Sequence, residues 1–453
     1  MKSKSSNFVR IFFFLLLSLM AFWRCSDNPL INKAPIQPKL TPWEAYWAAL
    51  DSNGLAQTQM AKNWKLAGEK ALNDSIQITS PFQETGYIQA EVPSAMAYAI
   101  ELKTGEQLNI SLSAVPDSLL FFVDLFQLEK TDSTSILRPV FHATPYQTDS
   151  ISFEVEKAGS YIVRIQPELL VSARYTISMV TQAIYGVFPV SGKGNSAIWS
   201  FFGDPRDGGK RSHKGIDIFA RRGTPVLAAT DGTVRSVRDR GLGGKQVWLS
   251  DTKRSQSLYY AHLDSQLVRE GATIKAGDTL GLVGNTGNAR NTRPHLHFSI
   301  YRRGQGAIDP HPFVASQSIK LPAFRIDTTW LGQMVRVSTN KTILQAGPNN
   351  RSHSFATLNR HLPLKVIAGS QGWYRVSTPD GIIGYCASNS LEQINRPIRQ
   401  IKMAQATELF QRPHPESPPI STIALEAEVD VLGQNETFQL VRGRNGEVGW
   451  MAR

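Results

Sequence analysis

Cysteine is scarce: Cys25 and Cys386 are the only two in the chain. A bond between them would tie the N-terminal apolar run to the far C-terminus, so a disulfide framework is excluded as a source of stability. Acidic residues are also in the minority, which leaves a formal net charge of +12. No Lys/Arg block with interleaved aromatics accompanies that excess, which argues against a nucleic-acid partner. Anionic polymers and lipid headgroups remain as partners for a basic surface. Charged residues make up 19% of the chain against 41% hydrophobic, so long disordered stretches need not be assumed. The glycines at 277, 281, 284 and 287 are not followed by Lys-Ser/Thr in phosphate-loop register, and they read as punctuation between short strands and turns.

The N-terminus carries Lys2, Lys4 and Arg10 ahead of an apolar run from Ile11 to Phe22. A charged region followed by an apolar stretch too short to span a bilayer comfortably is an export signal. Cys25 stands just after the run and precedes Ser26, Asp27 and Asn28. This placement resembles a bacterial lipoprotein signal, which implies lipidation of Cys25 and an anchor in the cell envelope, at the outer membrane or in the periplasm. Cys386 falls in a predicted strand and reads as a small buried hydrophobe.

The fold class is mainly β and multidomain. Residues 1–25 are the signal peptide, and 26–82 are a linker followed by a helical segment. Thr41 fits a helix N-cap, Pro42 the first helical position and Glu44 the third. Trp43, Tyr46, Trp47 and Leu50 follow at helical spacing, for packing on a neighbouring domain, and Gly54 divides the segment into two helices. Residues 83–182 alternate apolar and polar, as in Tyr87–Val92, Leu108–Leu112, Phe121–Leu125 and Tyr161–Ile165. About eight short strands imply a β-sandwich, loosely similar to jelly-roll accessory domains beside secreted bacterial peptidases.

The C-terminus repeats without gaps when the chain is shifted by 65 positions. Leu344 falls on Leu409, Pro348 on Pro413, Trp373 on Phe438, Gly381 on Gly446 and Gly384-Tyr385 on Gly449-Trp450. An Asp/Asn-Gly hairpin turn precedes each closing Gly-aromatic strand. The two units, 333–395 and 396–453, resemble bacterial SH3-like barrels, which implies modules that hold an enzyme on the cell wall.

The central segment, 183–315, concentrates the histidines. Of nine in the chain, four lie in His213-Lys-Gly-Ile-Asp217, Tyr260-Ala-His262-Leu and Pro294-His295-Leu-His297-Phe. A catalytic zinc takes three ligands of the imidazole and carboxylate type and keeps one position for water. His213, Asp217 and one member of the His295/His297 pair supply such a set. The pair is two apart in a strand-like run, so both imidazoles point to one face. One can bind metal while its neighbour faces the water. Gly215 is expected to ease the bend between His213 and Asp217. The segment has no cysteine, which argues against a structural Cys-type zinc site. Asn285 and Arg293 read as surface turn residues.

Together with Phe202-Gly-Asp-Pro-Arg, Gly223-Thr-Pro-Val and the Gly-Leu-Val-Gly-Asn-Thr-Gly run ending at Gly287, these motifs resemble the lysostaphin-type, or LytM-type, zinc metallopeptidases. The resemblance implies an all-β peptidase domain with one Zn²⁺ on His213, Asp217 and His297. It implies that His262 and His295 are the catalytic histidines beside the metal-activated water, with both roles shared between them. It implies peptidoglycan as substrate, cut at glycine bridges or at direct stem-peptide cross-links. A lipoprotein-like start suits a double-membraned bacterium, where direct cross-links are usual. The alternative is a non-catalytic wall-binding regulator that activates another hydrolase, and the complete ligand set speaks against it.

Overall fold

The computed structural model describes residues 40–131, 134–143, 150–317 and 319–453. The export signal, Cys25 and most of the tether therefore lie outside the described residues. The chain enters through two helices. Thr41 accepts from the Glu44 backbone, and the Glu44 carboxylate accepts from Thr41 N at 2.8 Å, closing a capping box on the helix Pro42–Ser52. The chain reverses through Gly54, at φ +73°, into the helix Gln59–Asn73. Trp43 stacks on Trp64 at 5.3 Å, and Trp64 meets the edge of Phe122 of the following sheet. Trp43 Nε1 also donates to the buried Gln166 at 2.6 Å. No helix among the described residues is long and apolar enough to cross a membrane.

Next come two antiparallel-rich sheets that share one apolar core. One contains Met96–Leu102, Gly159–Pro167 and Phe121–Lys130; the other contains Phe82–Ile88, Ala173–Ala183 and Glu106–Val115. Period-2 patterning explains the faces: Leu108, Ile110 and Leu112 point inward while Ser111 and Ser113 do not. The run Tyr87–Val92, expected as a strand, is mostly a turn. Its strand ends at Ile88, Val92 N closes back on Gln89 O, and Val92 is left 57% exposed.

The central segment forms a sheet of ten strands. Ile216–Phe219, His295–Arg302, Gln256–Gln266 and Lys245–Asp251 lie side by side in that order, all antiparallel. Their inner face carries Ile216, Ile218, Tyr260, Leu296 and Phe298 into a core of its own. The C-terminal repeat is also a structural repeat. Strands Met334–Val337, Trp373–Ser377 and Ile383–Ala387 recur 65 positions later as Arg399–Lys402, Phe438–Arg442 and Val448–Ala452, with the same pairing order.

The two copies differ in what they join. Strand Pro363–Ser370 of the first copy pairs with Phe82–Ile88, so the first copy and one sandwich sheet form a single eleven-stranded sheet. Glu84 is wholly buried at this junction. It pairs with Arg375 at 3.0 Å and accepts from the hydroxyls of Tyr98 at 2.6 Å and Tyr385 at 2.5 Å. Cys386 is buried in the same copy, and burial pushes its thiol up to about 12, as expected of an inert core cysteine.

Candidate metal centre

The pairing of Ile216–Phe219 with His295–Arg302 sets Asp217 directly opposite His297 and Phe219 opposite His295. His213 stands just ahead of the first of these strands, in contact with its neighbour. A Cβ on Gly215 would lie 2.4 Å from Phe298 O and from Ser299 Oγ, and 2.9 Å from His297 Cε1. Gly215 is not among the residues at positive φ. The chain bends at Gly215, as expected, and its missing Cβ also serves the close approach of two strands.

Three atoms converge there. His213 Nε2 lies 3.0 Å from His297 Nδ1 and 3.1 Å from Asp217 Oδ1, and His297 Nδ1 lies 3.0 Å from Asp217 Oδ1. Ligands at about 2.0–2.1 Å from a tetrahedral zinc stand about 3.3 Å from one another, close to these separations. The hydrogen bonds point the same way. His213 Nδ1 faces the carbonyl of Phe201 at 2.9 Å, and a carbonyl only accepts, so Nδ1 carries the proton and neutral Nε2 is bare. His297 Nε2 bonds Ser299 Oγ at 2.8 Å, which orients the ring with Nδ1 turned to Asp217 and His213. A bare nitrogen held against a carboxylate oxygen calls for a cation between them, so the donor set fits a metal. Burial would raise the Asp217 carboxyl, but when the His213 and His297 rings carry protons toward it their hydrogen bonds and charge outweigh burial and hold the group well below the usual range, the same pull a cation in the triangle would exert. Burial lowers the His297 imidazole, which favours the neutral, ligating form.

His262 and His295 complete a ring of imidazoles. A register shift in the pairing of Lys245–Asp251 with Gln256–Gln266 sets Ala261 and His262 together against Gln246. In that bulge His262 adopts φ +63°, a left-handed conformation that few side chains take. Its Nδ1 donates to Thr286 O at 2.9 Å, and His295 Nδ1 donates to Arg293 O at 2.8 Å. Both Nε2 atoms are thereby bare. The His295 Nε2 lies 3.9 Å from Asp217 Oδ1, and the rings of His262 and His295 are 5.1 Å apart. Burial, with His297 and His295 adding to it, pushes the His262 imidazole down to about 4. Phe219 stacks on His295 at 4.9 Å, and the exposed Trp199 stacks on Phe219 at 4.7 Å, fixing the ring from outside.

All five residues expected at the site thus surround one point. Asn285 braces its loop by donating to Arg290 O and Thr292 O, and Arg293 serves through its backbone carbonyl. Sequence reasoning passed over Ser299, although its period-2 spacing from His297 places it on the same face. It also gave no role to Arg206, which bonds Asp217 at 2.9 Å. The acceptors Phe201 O, Thr286 O and Arg293 O are backbone atoms, for which side-chain chemistry offers no signal.

Known proteins share this segment. Residues 211–310 match the model of peptidase family M23. An uncharacterized metalloprotease of Haemophilus influenzae is 40% identical over 119 residues, covering 26% of this chain and 23% of the relative. The L-Ala–D-Glu endopeptidase of Bacillus subtilis is 32% identical over 136 residues, covering 28% and 41%. The peptidoglycan DD-endopeptidase ShyC of Vibrio cholerae is 37% identical over 103 residues, covering 22% of each. The chain spans well under half the length of these relatives. Its residues 211–310 are a peptidase family M23 domain.

Proposed function

We propose that the chain is an exported zinc metalloendopeptidase that hydrolyses peptide cross-links of peptidoglycan. The observation that carries this reading is the convergence of two imidazole nitrogens and one carboxylate oxygen within 3.1 Å of one another, flanked by two further imidazoles. His213, Asp217 and His297 would hold the ion. A zinc ion there supplies Lewis-acid activation of water and of the scissile carbonyl.

The chain's own residues do the rest. His262 and His295 present Nε2 as a proton acceptor, because each Nδ1–H is committed to a carbonyl. Burial keeps His262 neutral at neutral pH, so its Nε2 lone pair is unprotonated. A proton taken at Nε2 turns that ring into a donor, able to deliver the proton to the leaving amine or to hydrogen-bond the developing oxyanion. Thr286 O and Arg293 O stabilise the imidazolium in place.

Peptidoglycan as substrate is supported by the relatives named for L-Ala–D-Glu and peptidoglycan DD bonds. The basic chain suits an anionic wall. Direct stem-peptide cross-links are taken as the target, in keeping with a lipoprotein-like start at Cys25 and an envelope location. The two repeated units are read as SH3-like wall-holding modules and the sandwich as a spacer or binding module. Metal analysis of the full chain, with mass spectrometry of muropeptides after digestion, tests the proposal. Zinc-loaded protein that releases no muropeptide would refute the enzymatic reading in favour of the regulator. Cleavage of protein substrates alone would refute the wall as substrate.

A further inference from the structure

Asp217 has two oxygens in two different environments. Oδ1 faces the imidazoles of His213 and His297. Oδ2 accepts from Arg206 Nη2 at 2.9 Å. The same nitrogen donates its other hydrogen to Ser200 Oγ at 2.5 Å. Ser200 in turn bonds Asp204 at 2.9 Å and stands 3.3 Å from His213 Nδ1. Arg206 sits on a short antiparallel pair, Pro205–Arg206 with Arg211–Ser212, that runs directly into His213. The guanidinium is thus held between Ser200 and Asp217, on a backbone set by that strand pair.

We propose that Arg206 is a positioning residue that confines Asp217 to one ligating oxygen. The proposal rests on the zinc-peptidase reading. A carboxylate with a free second oxygen can swing it onto the ion and fill the position that water needs. Arg206 prevents this with a charge-assisted hydrogen bond to Oδ2. It also balances the carboxylate, so two neutral imidazoles and a compensated Asp217 leave the ion's own charge undiminished. That maximises its pull on a water proton. A residue that merely braced the loop ahead of His213 would act differently. Its loss would loosen His213 and Asp217 together, and metal would be lost with activity.

The two roles are separated with full-length Arg206→Gln and Arg206→Lys. Zinc affinity is measured by competition with a chromophoric chelator, coordination from the visible spectrum of the cobalt-substituted protein, and turnover on muropeptides. The expected result for Arg206→Gln is zinc affinity equal to or tighter than wild type. Its cobalt bands should weaken as coordination expands from four towards five. Its kcat should fall by about 10–100-fold with little change in KM. Arg206→Lys, which keeps the charge, should recover part of that loss. Zinc affinity falling in step with turnover, an unchanged cobalt spectrum, or unchanged turnover would each overturn the proposal. Wild-type protein that binds zinc without turnover would refute the enzymatic reading, while the cobalt comparison would still decide the role of Arg206.

Discussion

Replacing Gly215 by alanine isolates the geometry that makes the metal centre. The new Cβ would sit 2.4 Å from Phe298 O and Ser299 Oγ, where ordinary contact begins at 3.4 Å. The segment carrying His213 and Asp217 must then separate from the strand carrying His297 by roughly 1 Å, the shortfall in van der Waals contact. Gly215 is not at positive φ, so alanine meets no backbone strain, and the reduced freedom of the unfolded chain would favour it by about 0.4–1 kcal/mol. The penalty is therefore steric, and overpacking of this kind costs about 1–3 kcal/mol. Metal sites tolerate only about 0.2 Å of error in ligand distance. The displacement exceeds that several-fold, so zinc affinity should drop by at least about tenfold, equivalent to ~1.4 kcal/mol. Chelator competition on full-length protein measures the affinity, and denaturant titration of the metal-free protein measures the stability. A Gly215→Ala protein with wild-type zinc affinity would refute the claim that close strand approach sets the donor triangle.

Other substitutions separate metal holding, proton transfer and scaffold. His213→Ala should lose zinc, whereas His262→Ala and His295→Ala should keep it and lower muropeptide release by about 10²–10⁴-fold, read by metal analysis and mass spectrometry. Arg375→Ala would strand the wholly buried Glu84 without its cation and should destabilise the junction of sandwich and first repeat by about 3–5 kcal/mol in denaturant titration. Adding Glu84→Gln should recover part of that loss. Trp43→Ala removes the stack on Trp64 and the bond to Gln166 and should cost about 3–5 kcal/mol of stability with zinc affinity unchanged.

Local signals in the sequence carried far. The Thr41–Glu44 capping box, the two helices split at Gly54, the alternating strand at Leu108–Leu112 and the 65-residue repeat each depend on neighbours in the chain, and each appears as read. The strand expected over Tyr87–Val92 failed because the chain turns after Ile88, and only tertiary context decides where a pleat stops.

For the candidate site, residue type and spacing pointed to His213, Asp217 and one of the His295/His297 pair, because metal chemistry restricts the usable side chains to very few. The split of that pair and the part of His262 came from the family resemblance, and the fold brings all five together. What surrounds them came only with the fold. The antiparallel register places Asp217 against His297, a bulge turns His262 inward at φ +63°, and three backbone carbonyls set the imidazole tautomers. Arg206 meets Asp217 eleven residues away, and Glu84 meets Arg375 across 375 − 84 = 291 positions. Such contacts depend on register and on which sheets share an edge. These are set by the summed packing of many residues, so no short stretch of sequence encodes them.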